Sequence, residues 1–328
     1  MGTVGDTGRS TPAILAHTPD SAVLNDNGQS LSVHRGRLAR MCGRYAASAS
    51  PEDLVEELEV EDDESEGRLE RNWNLAPTDP AAVVLQRPRR DDREGPAVRQ
   101  LRVLTWGLVP SWAKDPSIGN RMINARSETL LDAGAYRKAA ASRRCLVPAD
   151  GWYEWQASPT ATDGKGRPRK QPFFVHLADG QRLAFAGLYE FWRDRSRPDD
   201  DPLAWRTTFT IVTTDAEPGL DRIHDRMPLV LPRERWAAWL DPALTSPDDV
   251  RDLMAPVEPG RFVAYPVGRA VGDVRNTGPQ LLEPAPADDL VGVVDPMTGE
   301  VLGAPAPAEQ LTLDQARVGP NDGATAGG

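Results

Sequence analysis

Apolar positions fall into short dense runs separated by charged and turn-forming stretches, a pattern of strands rather than long amphipathic helices. Ser50-Pro51-Glu52-Asp53 opens a short helix: serine as N-cap, proline at the first helical position and acids in the first turn, with Leu54, Val55 and Leu58 as its apolar stripe. The acidic run Glu61–Glu66 then reads as a solvated loop. Ala81–Leu85 predicts a strand, Arg87–Gly95 a charged hairpin-like segment, and Leu101–Val109 a second strand. A helix is expected across Ser127–Arg143, with Leu130, Leu131 and Ala139 inward. Strands follow at Cys145–Val147, Trp152–Gln156, Phe173–Leu177, Leu183–Trp192 and Thr208–Thr213. Two short helices, Pro232–Leu240 and Ser246–Met254, and a strand at Phe262–Val267 complete the series. Strands outnumber helices and are mostly hairpin-linked. The expected fold class is therefore α+β: a single domain on a curved, mostly antiparallel sheet or partial barrel, with flanking short helices.

Composition sets the boundaries. All aromatic residues lie between Tyr45 and Tyr265 of the 328, while both ends are rich in Gly, Ala, Pro, Ser, Thr and Asp. Such segments bury too little apolar surface to offset the entropy of ordering. The expectation is a domain at 41–280 between a disordered head (1–40) and a disordered tail (281–328). No apolar run approaches a membrane span, and the run Ala13–Ala16 is too short for a secretory signal. Two cysteines, Cys42 and Cys145, exclude a disulfide framework and fit a cytoplasmic protein. With four histidines, no C-x-x-C and no phosphate-binding glycine motif, neither a metal nor a cofactor is expected.

The net charge of −11 is unevenly spread. Ten acids sit between Glu52 and Glu66; without them, 41–280 holds 33 basic and 28 acidic residues, so a basic face on the domain is compatible with the acidic whole. Only four of the basic residues are lysines. Arginine suits bidentate phosphate contacts, although a genome-wide arginine bias explains the same count. The basic loop Thr160–Lys170, with Lys165, Arg167 and Arg169, reads either as a phosphate contact or as a solvated hairpin end.

Met41-Cys42-Gly43-Arg44-Tyr45 marks where the low-complexity head stops. If Cys42 became the first residue, its α-amine and thiol together would condense with an aldehyde to a Schiff base and close a thiazolidine; the plain alternative is a small buried cysteine. Glu154, inside Trp152-Tyr153-Glu154-Trp155, is a carboxylate among aromatics and a candidate general acid/base, or simply a strand residue. His224, next to Asp225, is a candidate proton shuttle or a turn cap. Asn124 is a positioning amide or an N-cap-like residue. Trp106 and Trp112 are stacking platforms for unpaired bases or core.

Taken together, these segments resemble the SOS-response-associated peptidase (SRAP) family, the abasic-site processing proteins. The matching stretches are Met41–Tyr45, Asn74–Thr78, Trp106–Trp112, Asn124–Thr129, Arg144–Trp155, Ala184–Tyr189, Phe209–Thr213, Ile223–Pro228 and Val274–Pro279, in the family's order. The resemblance implies binding of single-stranded DNA and covalent trapping of abasic sites through a thiazolidine on Cys42. Asn124 would help position Cys42, Glu154 would shuttle protons during ring closure, and His224 would assist sugar-ring opening and reversal. Arg44, Asn74, Trp106, Arg126 and Arg226 fall where the family contacts DNA backbone or stacks bases. The resemblance also implies a peptidase that matures its own N-terminus, an associated strand-cleaving lyase activity, and contact with replication or repair machinery. Cys42 has 41 residues before it, and an internal amide nitrogen cannot form a Schiff base. Three alternatives follow: a start at Met41, removal of the head, or a chain inactive in crosslinking; the abrupt match at Met41 favours the first. A monomer is expected, because no apolar seam is evident.

Overall fold

The computed structural model describes residues 43–302, the side chain of Pro202 excepted. The head, Met41, Cys42 and the chain beyond 302 lie outside the described residues. In chain order the strands are β1 (Tyr45–Ala47), β2 (Asp62–Asp63), β3 (Asn72–Leu75), β4 (Pro80–Pro88), β5 (Ala97–Trp106), β6 (Asn124–Arg126), β7 (Arg144–Ala149) and β8 (Gly151–Thr162). They continue as β9 (Pro168–Leu177), β10 (Leu183–Arg193), β11 (Trp205–Asp215), β12 (Arg226–Pro228), β13 (Phe262–Pro266), β14 (Val293–Val294) and β15 (Val301–Leu302). Four short α-helices flank them: α1 (Pro51–Glu57), α2 (Arg137–Ser142), α3 (Trp236–Leu240) and α4 (Pro247–Leu253).

The sheet closes. β4, β5, β11, β10 and β7 form a five-strand circuit, antiparallel except where β5 meets β11 in parallel at Thr105–Thr208 and Trp106–Phe209. Closure removes the free edges that an open sheet would expose. A second sheet, in the order β13-β9-β8-β1-β3, packs against it. Tyr45, Trp106, Trp152, Phe173, Phe185 and Phe209 fill the space between, all buried. α1 starts as expected: the Ser50 hydroxyl accepts from Asp53 N–H, and the Asp53 carboxylate accepts from Ser50 N–H, a reciprocal cap.

Three expectations are corrected. The helix across Ser127–Arg143 shrinks to α2, because Ser127 N–H is spent on the Thr213 carbonyl, extending the β6–β11 pairing. Residues 127–136 are then a chain of turns that still buries Leu130. The acidic run is not a solvated loop. β2 lies parallel to β5, and its neighbourhood neutralises arginines of the β4–β5 hairpin: Glu64 pairs with Arg102 at 2.6 Å and Arg90 at 2.9 Å, Asp62 with Arg89 at 3.4 Å. The first 22 residues of the expected tail, 281–302, belong to the fold: Leu281 and Val293 are buried, and β14–β15 form a small hairpin. Among the described residues, no helix is long and apolar enough to cross a membrane.

Arg144 ties the helices to the barrel. Its buried guanidinium donates to five carbonyls: Ala140 and Ala141 of α2 at 2.8 Å each, Trp239 of α3 at 2.7 Å, and Asp241 and Leu244 beyond it at 2.5 and 2.9 Å. Arg144→Met leaves those acceptors unpaired inside, which costs about 3 kcal/mol or more. Urea unfolding measures it; a loss below about 1 kcal/mol would contradict the anchoring role.

Candidate functional site

The N-terminal end of the described chain is held tightly. Just before β1, Arg44 O accepts from Tyr153 N–H at 2.9 Å, next to Glu154 in β8. The Arg44 guanidinium donates to Asn74 Oδ1 at 2.9 Å and to Val271 O at 2.7 Å, and lies 5.8 Å from the Trp155 ring. Burial pulls this guanidinium below its ordinary pKa, an effect opposed by Asp79 and Asp273. Asn74 is 1% exposed, and its Nδ2 donates to the carbonyls of Val271, Asp273 and Asn276 at 3.2, 3.0 and 2.8 Å. The carboxamide thereby fixes the 271–276 turn and the Arg44 head group.

Trp106 belongs to the core. It is fully buried, 5.2 Å from the Tyr45 ring and stacked on Phe209 at 6.4 Å, and its indole N–H donates to Ile123 O at 2.8 Å. No face is left for a base. The indole instead links β1 to the residue before Asn124. Trp112, by contrast, is 62% exposed. Between them the chain passes through Gly107, whose φ of +126° and whose approach to Gly119 leave no room for a Cβ, 2.7 Å from the Gly119 oxygen.

β11 carries the other half of the site. Asn124 and Arg126 of β6 pair along one edge, opposite Ile211 and Thr213; Arg226 of β12 pairs along the other, opposite Asp215. Asn124 is half-buried, its backbone oxygen accepting from Tyr136 OH at 3.2 Å. Arg126 is exposed. Arg226, at 8% exposure, is an internal cation: it makes a two-pronged pair with Glu128, a second with Asp215 at 2.5 Å, and donates to Thr213 O at 2.8 Å. Burial works against its charge, but the bonds to Glu128 and Asp215 win and raise its pKa, while Arg226 holds the Glu128 carboxyl below its ordinary range. These bonds order this strand end. Glu128, within the Asn124–Thr129 segment, is the partner of Arg226 that sequence reading passed over.

Glu154 is 5% exposed on β8, opposite Phe173, with Oε1 accepting from Trp155 N–H at 3.2 Å. His224 follows the 3₁₀ turn Leu220–Arg222. Its Nδ1 lies 3.1 Å from Arg226 N–H and 2.8 Å from Asp225 Oδ1. The first contact needs a bare nitrogen and the second a protonated one, so the imidazole has a ready partner in either state. Two residues along β8, Gln156 bonds the Arg222 carbonyl, which brings the His224 turn to the strand that bears Glu154. In the basic loop, Arg167 pairs with Asp163 and Arg169 donates to the carbonyls of Asp289 and Val291, so both serve structure. Clefts of about 710 and 430 Å³ open elsewhere, around Arg182, and neither is lined by Asn124, Glu154 or His224.

The family model described as SOS response associated peptidase (SRAP) matches residues 41–274. The abasic site processing protein YoqW of Bacillus subtilis (strain 168) is 36% identical over 243 residues, spanning 74% of this chain and 99% of its own. The abasic site processing protein YedK of Escherichia coli (strain K12) is 34% identical, over 74% and 100%. The abasic site processing protein HMCES of Gallus gallus is 32% identical, over 74% and 78%. A crystal structure of a protein from Bacteroides thetaiotaomicron shares the fold, with a TM-score of 0.61 and 24% identity over 74% of this chain and all of that one.

The burial of Trp106 gives a direct test. Trp106→Phe keeps most of the packing but strands the buried Ile123 carbonyl, so stability measured by denaturant falls by about 2 kcal/mol. An unchanged midpoint would contradict the assignment of this indole to the core.

Proposed function

Because the chain belongs to the SOS response associated peptidase (SRAP) family, we propose that it processes abasic sites in single-stranded DNA by covalent trapping at Cys42. The observation that carries this reading is the placement of Arg44 against Tyr153: the segment bonded in sequence to Cys42 runs beside Glu154, and the His224 turn reaches the same strand through Gln156. The relatives named above, all abasic site processing proteins, support the substrate class.

The chemistry balances without a redox partner. An abasic sugar is mostly a closed hemiacetal; opening breaks the C1′–O4′ bond, the C1′ hydroxyl giving up its proton and O4′ taking one. His224 handles these protons, with Asp225 holding the charged imidazole. The free α-amine of Cys42, of ordinary pKa about 8, then adds to the aldehyde and one water leaves, giving a Schiff base. The thiol sulfur adds to the imine carbon, its proton passes to nitrogen through Glu154, and a thiazolidine results. Asn124 positions the reacting cysteine. Single strands expose the aldehyde without base flipping. Exposed Arg126 and Trp112 supply phosphate attraction and a stacking face.

The free amine requires removal of everything before Cys42. The family description names a peptidase, which favours a second activity at the same residues: self-cleavage between Met41 and Cys42, with Glu154 as proton carrier. Strand cleavage by a lyase route would start from the same Schiff base.

A Cys42-first protein is expected to form an adduct with abasic single strands that survives denaturing electrophoresis, and Cys42→Ala none; equal adduct with Cys42→Ala would overturn the reading. Glu154→Gln slows ring closure and abolishes the shortening of the full-length chain by intact mass. Trp112→Ala lowers affinity for intact single strands about tenfold by fluorescence anisotropy, and unchanged affinity would remove Trp112 from the interface.

A further inference from the structure

β14 and β15 lie beyond the residues that match the family model, yet β14 bonds the strand that bears Glu154. Gln156 is buried two residues from Glu154, and strand alternation puts both on one face of β8. Its Nε2 donates to Arg222 O at 3.2 Å and to Val294 O at 2.9 Å, while its Oε1 accepts from Val294 N–H at 2.8 Å. The Arg222 guanidinium donates to Pro296 O at 2.5 Å and to Met297 O at 3.4 Å. Where the turn begins, Gly219 has φ +97°, and a Cβ there would sit 3.3 Å from the Met297 sulfur. The segment 219–222 is thus gripped between β8 and the 292–302 strap. It leads directly into His224, whose own N–H bonds Leu220 O at 3.1 Å.

The geometry points to Gln156, Arg222 and the 292–302 strap as the device that positions His224 against Glu154, an inference that rests on the roles given to those two residues above. Gln156 and Arg222 act through the His224 turn, as positioning residues. One carboxamide couples the strand bearing Glu154, the turn bearing His224 and the strap, and one guanidinium repeats the tie from the turn's far side. Loosening either shifts the imidazole relative to the sugar and slows the proton transfers of ring opening. DNA affinity, supplied by Arg126 and Trp112, is untouched.

The test uses the Cys42-first chain through residue 328, with Gln156→Leu, Arg222→Met and Arg222→Lys. At saturating abasic single strand, the adduct-forming rate of Gln156→Leu and Arg222→Met should fall about tenfold, a size set by small misplacements of a reacting group. Affinity for intact single strands should hold, and the His224 ring resonances in NMR spectra should move in both variants. Arg222→Lys, which keeps a donor for Pro296 O, should recover much of the rate. Folded variants with parental rates and unmoved His224 resonances would overturn the inference. Arg222 is exposed, so Arg222→Met carries the test even if Gln156→Leu fails to fold. If the parent traps nothing while Arg222→Met still moves the His224 resonances, the trapping reading falls and the coupling stands.

Discussion

The structure depends on the way β11 is shared. Each of its edges serves two partners in succession: β10 then β12 on one side, β5 then β6 on the other. The parallel joint with β5 closes the barrel, and the handover to β6 and β12 carries the chain past the rim. Asn124, Arg126 and Arg226 are therefore set by the same backbone ladder that closes the core. Side chains placed on strand ends of a closed barrel are held more precisely than on free loops.

Arginine does much of the internal fastening. Arg144 gathers carbonyls from two helices, Arg44 and Asn74 pin the 271–276 turn, and Arg226 neutralises Glu128 and Asp215 at the strand end. Hydrogen bonds to a charged group are stronger than neutral ones, and a guanidinium offers five donors in a fixed fork. The arginine-rich composition is thus partly spent inside, and the basic surface for DNA is narrower than a residue count suggests. The hairpin arginines facing Asp62 and Glu64 subtract from it further.

Much of this was legible in the sequence. The apolar runs marked β4, β7, β9, β10 and β11, and the serine-proline starts marked α1 and α4, because those signals are local. What failed was non-local. Ser127 looks like a helix start, but its N–H is claimed by Thr213, far away in the chain. The acids after Glu61 look like solvated charge, but arginines from a later hairpin meet them. The tail lacks aromatics, yet Val293 reaches the core and Val294 finds Gln156. At the site, motif order named Asn124, Glu154 and His224. It could not separate the exposed Arg126 and Trp112 from the buried Asn74, Trp106 and Arg226, since a motif records that a residue matters and not whether it faces solvent.

The central claim is that Cys42 holds the sugar through both its nitrogen and its sulfur. The direct measurement is a peptide mass map of the adduct after nuclease and protease digestion. The account predicts the sugar remnant on the peptide that begins with Cys42, at the summed mass less one water, with neither free amine nor free thiol. A remnant on a lysine, or on a Cys42 peptide that retains a reactive thiol, would contradict it.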